Sequence, residues 1–218
     1  MKVYVWFTEN VRDYFNLLEK SCEDIDDIEL VPYTYKEEIP DKGLEMGEAW
    51  KESYRDLMVE RWRTLPDIVE ENMGKNIVWL DVDCVFNKNN KTFSKTIADN
   101  LVDNDFVFQY DPNRGMSEHI CTGVMGIKCS EKTLKMVNFW FKDIESKKTK
   151  EERRPGFPQT EWNEIFKKHP EFEATFFVLP QEYCSGEGDW GIYHAHAKGT
   201  SGKFGSLRDK LLSVGISP

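Results

Sequence analysis

Two acids stand one residue apart at the end of an apolar run, Asp81 and Asp83 in Ile77-Val78-Trp79-Leu80-Asp81-Val82-Asp83-Cys84-Val85-Phe86. The run 77–86, bounded by Gly74-Lys75-Asn76 and Asn87-Lys88-Asn89-Asn90, reads as a central strand of an α/β sheet covered on both faces, and such sheets bind ligands at the carboxyl ends of their strands. With Val82 turned away between them, both carboxylates can point into that crevice. Two hard oxygen donors on one side suit Mg²⁺ or Mn²⁺ that also holds phosphate oxygens. Solvated caps are the bland reading of any Asp-x-Asp, and the apolar residues on both sides weigh against it here. A second constellation lies in residues 186–203, Gly-Glu-Gly-Asp-Trp-Gly-Ile-Tyr-His-Ala-His-Ala-Lys-Gly-Thr-Ser-Gly-Lys. If that segment is extended, His194, His196 and Lys198 share one face. It carries two of the chain's four histidines, glycines that admit backbone close to a phosphate, and lysines that can neutralise one. The aspartate pair plus a histidine completes the protein part of an octahedral Mn²⁺ site, with positions left for diphosphate oxygens and solvent. A metal there would stabilise the charge building on a departing nucleoside diphosphate.

The elements that must hold these residues are legible in order. Residues 2–7 predict a first strand, and Thr8-Glu9-Asn10 then caps a helix through Val11, Phe15, Leu17 and Leu18. A nucleotide would sit at this first turn, beside Phe7 and Thr8. The turn lacks Gly-x-Gly-x-x-Gly, and Gly-x-x-x-x-Gly-Lys-Ser/Thr occurs nowhere, so Rossmann redox and P-loop chemistry lose support. Residues 28–33 predict a second strand, after which Tyr33, Tyr35 and Lys36 could flank a base or ribose. Over 45–72 the spacing of Trp50, Tyr54, Leu57, Met58, Trp62 and Leu65 predicts a helix with a break at Pro66. Arg55, Arg61 and Arg63 lie on it, each a candidate for a sugar or diphosphate and each as easily a solvated partner of a Glu. Beyond the acidic pair, 92–101 predicts a helix, 106–110 a strand ending at Asp111, 111–122 a substrate-facing loop and 123–127 another strand. An aromatic-rich helix over 134–144, a charge run over 145–154, a helix over 159–166 and a strand over 176–180 complete the pattern.

Composition bounds the rest. The 218 residues suffice for one α/β domain with a substantial core, and we read 1–218 as a single domain, whether or not it is part of a longer polypeptide. Hydrophobic residues at 39% and aromatics at 13% exclude a disordered chain. No apolar run approaches the roughly 20 residues of a membrane span. A net charge of -10 argues against a nucleic-acid partner held by a broad basic surface. Five cysteines, an odd number without a Cys-x-x-Cys pair, point to reduced thiols. With no signal-peptide pattern in the opening residues, the expectation is a cytoplasmic location, the host cytosol if the chain is viral.

Together these residues resemble the GT-A glycosyltransferases, specifically the nucleotide-diphospho-sugar transferases related to glycogenin-like and galactosyltransferase-like retaining enzymes. The likeness covers most of the chain. It is carried by residues 61–66, the hhhhDxD strand 77–83, Asp111 with Cys121-Thr122-Gly123-Val124-Met125, the Gln159-Thr160-Glu161-Trp162-Asn163 segment, and the His-Ala segment with Gly199 and Lys203. The size and the Lys-Val-Tyr-Val-Trp-Phe-Thr opening also resemble small virus-encoded GT-A domains that add rhamnose. The resemblance implies a single GT-A domain with a mixed, mainly parallel sheet flanked by helices, and a metal-dependent transfer from a UDP-sugar to a glycan or glycoprotein hydroxyl with retention. It implies that Asp81 meets ribose and metal, that Asp83 and either His194 or His196 hold Mn²⁺ or Mg²⁺, and that Gln159 lies near the anomeric centre. Donor contacts would come from Phe7, Thr8, Arg61, Asp81, Val82, Asp83, Gly199 and Lys203. Two departures stand out: Pro158 replaces the family's usual Asp, a contact that is either lost or supplied by Glu161 or Asp189, and Cys121-Thr122 replaces the usual Phe-Asn. For an inverting reaction Asp111, Glu161 and Asp189 are the available bases.

Two other classes compete. Leu80-Asp81-Val82-Asp83-Cys84-Val85 also fits the signature of haloacid-dehalogenase-like phosphatases, with Asp81 as nucleophile and Asp83 as acid/base. That motif usually opens its fold, whereas here it sits far inside the chain, and the late acidic pair is missing. A pyrophosphorylase would need a glycine-rich basic opening loop, which Phe7-Thr8-Glu9-Asn10 is not. A non-catalytic nucleotide-sugar or glycan-binding domain is the third reading.

Overall fold

A computed structural model describes residues 1–35, 52–111, 120–147, 152, 159–195 and 200–218. Lys36, Trp50, Pro158, His196, Lys198 and Gly199, and most of the expected 111–122 loop and 145–154 charge run, lie outside the described residues, as do the side chains of Tyr54 and Arg55.

The apolar runs become strands β1 (Lys2–Thr8), β2 (Glu29–Tyr35), β3 (Asn76–Leu80), β5 (Phe106–Tyr110), β6 (Ile120–Lys128) and β7 (Phe176–Val178) of one sheet, ordered β2-β1-β3-β6-β5-β7. β6 runs antiparallel to both neighbours, and the other pairings are parallel. This is the mixed, mainly parallel α/β sheet expected. Strand alternation sends Tyr4, Trp6, Ile77, Trp79, Phe106 and Phe108 to one face and Val3, Val5, Phe7, Val78, Leu80 and Val107 to the other, so both faces are apolar. Helices α2 (Glu52–Arg63), α3 (Leu65–Glu71), α5 (Glu131–Ser146) and α6 (Gln159–Lys168) cover the first face. Helices α1 (Arg12–Cys22) and α4 (Phe93–Asp103) cover the second. Pro66 starts α3 in its first turn, where its missing N–H costs nothing, and that is why the helical run divides there. No helix among the described residues is long and apolar enough to cross a membrane.

Three departures from the sequence pattern shape the site. First, 77–86 is not one strand: β3 stops at Leu80, and β4 (Cys84–Phe86) leaves the main sheet to pair antiparallel with β8 (Ile192–His194), Cys84 opposite His194. The acidic pair occupies the break. Second, β6 begins at Ile120, inside the expected loop. Asn163 on α6 explains this, because its side-chain amide accepts from the Ile120 N–H and donates to the Ile120 carbonyl, 2.9 Å each. The amide thus continues the strand's pairing. Asn163→Leu is expected to strand both buried backbone groups and to lower stability by about 2 to 3 kcal/mol in urea unfolding. A loss under about 0.5 kcal/mol would mean that Ile120 finds other partners. Third, residues after Lys203, for which the sequence pattern suggested no element, form part of α7 (Thr200–Ser213). Leu207, Leu211 and Val214 pack at helical spacing against Tyr14 and Leu17 of α1, Val85 of β4 and Tyr193 of β8.

Candidate active site

Asp81 is the first residue past β3, and its N–H donates to the Gly123 carbonyl at 2.8 Å, fixing the chain as it leaves the sheet. Two residues beyond Trp79, its side chain falls on the face covered by α2. There Arg61 donates to Asp81 Oδ1, its guanidinium lying 4.9 Å from the Trp62 ring centroid and 5.6 Å from that of Trp79. The aromatic bed orients a cation that is itself almost fully buried. Asp83 is buried, and Lys203 in the first turns of α7 donates to its Oδ2.

Each acid therefore has one oxygen held by a cation and one turned elsewhere. The two remaining oxygens face the same atom: His194 Nε2 lies 3.5 Å from Asp81 Oδ2 and 3.4 Å from Asp83 Oδ1. β8 carries His194 to this point through its pairing with β4, reinforced by the Ala195 N–H donating to the Asp83 carbonyl at 2.9 Å. On the far side of the ring, Nδ1 lies 2.8 Å from Gln109 Oε1 and 3.9 Å from Cys121 Sγ. The ring also lies against bare backbone. A Cβ on Gly123 would overlap Cε1 and come within 2.6 Å of Nδ1, so this position needs the missing side chain.

Burial opposes charge on Asp83, but Lys203 and then His194 outweigh it and hold the carboxyl well below the usual range. For His194 burial again opposes the charged form, and the Asp83 charge with its contact prevails, so the pKa stands well above the ordinary imidazole value. Burial, followed by the charges of Asp83 and Asp81, pushes the neighbouring Cys84 thiol up, so it is not a nucleophile.

The donor set fits a divalent cation. Two carboxylate oxygens and one imidazole nitrogen lie within 4.8 Å of one another. Their Nε2 to oxygen separations of 3.4 and 3.5 Å are close to the roughly 3 Å between neighbouring ligands of an octahedral ion. The hydrogen bond at Nδ1 suits such a ligand set, because it would leave Nε2 available to an ion.

A second cluster lies at the end of β5. Asp111 is buried and accepts from Gln159 Nε2 at 3.0 Å, while Gln159 Oε1 stands 3.5 Å from both the N–H and the hydroxyl of Thr122. Gln159 opens α6 one turn before the Asn163 clamp, whose amide also donates to the Gln159 carbonyl at 3.2 Å. The remaining predicted residues sit apart from these two groups. Glu161 pairs with Lys147 at 2.6 Å, which also holds Asp143 at 2.8 Å, on the seam between α5 and α6. Asp189 accepts from Asn90 Nδ2 at 3.0 Å and anchors the loop leading to β8. Phe7 is buried and stacked on Phe15 at 4.7 Å, with the Arg12 guanidinium 4.8 Å from its ring centroid. Thr8 donates to Asn10 Oδ1 in the first βα turn, Tyr35 packs on Trp6 at 5.5 Å, and Val82 packs half-buried on the apolar cluster.

The description "nucleotide-diphospho-sugar transferase" belongs to the family whose sequence model matches residues 31–203, well over half of the chain. This chain belongs to that family. The transferase also shares its fold with solved enzymes at low identity. A glycosyltransferase involved in the glycosylation of the major capsid of PBCV-1 aligns with a TM-score of 0.64 at 15% identity, over 95% of this chain and 98% of its own. The apo-form glycosyltransferase GlyE of Streptococcus pneumoniae TIGR4 aligns with a TM-score of 0.57 at 13% identity, over 100% of this chain and 64% of its own. Mouse xyloside xylosyltransferase 1 aligns with a TM-score of 0.55 at 11% identity, over 90% of this chain and 98% of its own. A sequence search of curated proteins finds no match. The family makes the transferase an enzyme of sugar transfer and displaces the phosphatase and binding-module readings.

Proposed function

We propose that the transferase moves a sugar from a UDP-sugar to a glycan or glycoprotein hydroxyl, with retention of configuration, using a divalent cation held by Asp81, Asp83 and His194. The observation that carries this is the pair of carboxylate oxygens, one from each acid, turned on a single imidazole nitrogen at 3.5 and 3.4 Å. Mn²⁺ or Mg²⁺ at that point would supply Lewis-acid stabilisation of the leaving diphosphate. Arg61 and Lys203 neutralise the acids in the protein alone, and both are donors suited to a phosphate once it arrives. We place the base at the first βα turn, by Thr8 and Asn10, with the half-buried Val82 as its apolar contact; Phe7, buried against Phe15, supports the turn from within. Of the two histidines expected as alternatives, His194 is the one we assign to the cation.

Retention is supported by the state of the candidate bases. Asp111 is engaged by Gln159, Glu161 by Lys147 and Asp189 by Asn90. The group offered at the end of β5 is then the Gln159 amide, held by Asp111, and an amide can orient a sugar hydroxyl or steady a positive anomeric carbon without taking a proton. The capsid glycosylation named for the PBCV-1 enzyme supports a glycan or glycoprotein acceptor. Five free thiols support a reducing cytoplasmic setting.

Calorimetric titration of UDP and of GDP, with Mn²⁺ and then with chelator, tests this reading. UDP is expected to bind with Mn²⁺ and to weaken at least about 10-fold on chelation, with slow UDP-sugar hydrolysis lost in parallel. Binding indifferent to chelator would refute the metal site, and preference for GDP would refute the donor. NMR of the product anomer decides retention.

A further inference from the structure

We propose that Gln109 is a positioning residue that fixes the His194 ring and thereby sets how tightly the site holds its cation; this rests on the metal reading above. Gln109 interrupts an apolar strand, Phe106-Val107-Phe108-Gln109-Tyr110, and is 6% exposed. A buried amide in such a run needs a partner. Its Oε1 finds one in His194 Nδ1 at 2.8 Å. The sheet is built to allow the contact. Phe108 pairs with Met125 of β6, yet the next residue, Gln109, pairs with Cys121, so 122–124 stand outside the β5 ladder. This irregularity opens the end of the sheet, places Gly123 beneath the imidazole and lets the Gln109 side chain reach its edge.

Because the amide oxygen can only accept, Nδ1 must carry hydrogen, and Nε2, the nitrogen facing the two acids, is the one left to give up its proton to a cation. Cys121 Sγ, at 3.9 Å from the same nitrogen, is a weaker acceptor and could not hold the ring alone. The choice of an amide over a carboxylate matters too. A carboxylate here would add a negative charge behind the ring and make the imidazole a stronger donor to the ion. Gln109 therefore orients His194 while keeping the cation exchangeable.

The test uses the whole protein with UDP present, as wild type, Gln109→Leu and Gln109→Glu, with Mn²⁺ binding followed by loss of the free-ion EPR signal. Gln109→Leu is expected to weaken Mn²⁺ binding about 10- to 100-fold. Gln109→Glu is expected to tighten it by about 10-fold, a change that a purely structural hydrogen bond would not produce. The absorption spectrum of Co²⁺ in the same site should change in band position or intensity in Gln109→Leu. Urea unfolding of each variant separates these effects from loss of fold, and if Gln109→Leu does not fold, Gln109→Glu decides. Variants that bind Mn²⁺ as the wild type does overturn the assignment. A wild-type protein that takes up no Mn²⁺ with UDP present overturns the metal reading and this inference with it.

Discussion

Gly123→Ala is expected to lower sugar transfer at least about 100-fold while the main sheet stays folded. The added methyl would overlap His194 Cε1 and stand within 2.6 Å of Nδ1 and 3.0 Å of Nε2. Neither partner can give way cheaply. The Gly123 carbonyl is fixed by the Asp81 N–H at 2.8 Å, and the adjacent Val124 pairs with Leu80. His194 is held by its register with Cys84 and by Gln109. The ring must therefore leave its rotamer, and Nε2 leaves the acids with it. Gly126→Ala, on the same strand, is the control. Its methyl would meet Ile97 Cγ2 at 2.7 Å and overpack α4, costing about 1 to 3 kcal/mol of stability with UDP and Mn²⁺ binding intact. If Gly123→Ala keeps wild-type transfer and metal dependence, the ring does not need the space and His194 is not a ligand.

Asp83→Ala is expected to reduce transfer by at least about 1000-fold, roughly 4 kcal/mol of transition-state stabilisation, and to make UDP binding independent of Mn²⁺. The effect on folding should be smaller, about 1 to 3 kcal/mol. Lys203 has a side chain 28% exposed and can turn to water once its acid is gone. His194 loses the charge that raises its pKa and can stay neutral. Single-turnover assays with a UDP-sugar, run beside urea unfolding, check both figures. Transfer within about tenfold of wild type would mean that the ion, if bound at all, is not held by Asp83.

Much of this site was legible from residue type. Asp81, Asp83 and Arg61 each carry a charge next to apolar sequence, and a charge in that setting announces that it will need a partner; Lys203 stands out instead as a cation in a glycine-rich segment. The sequence leaves His194 and His196 as alternatives; what brings His194 to the acids is a three-residue strand that pairs with β4 across the length of the chain, while His196 lies outside the described residues. Gln109 enters the sequence pattern only as a member of the 106–110 strand, although a glutamine between Phe108 and Tyr110 is the same kind of signal as an acid there. The role of Gly123 is steric, and a vacancy leaves no trace in a residue pattern. α7 was missed for a different reason: Gly202 and Gly205 weaken its first turns, and its apolar residues match a surface made of α1, β4 and β8 that exists only after folding.

The pairing of β4 with β8 also bears on when this enzyme becomes competent. Asp83 and Lys203 are 120 residues apart, and His194 and Gln109 are 85 apart, whereas the main sheet can form most of its ladder without either contact. Closing loops of that length carries an entropic cost that is recovered only when the whole ribbon and α7 dock. The Asp81, Asp83 and His194 cluster is thus among the least local features of the molecule. Sheet and helices can be native while this cluster is still unmade, so folding and the acquisition of activity need not coincide, and a nucleotide that binds the finished cluster would pull the two together.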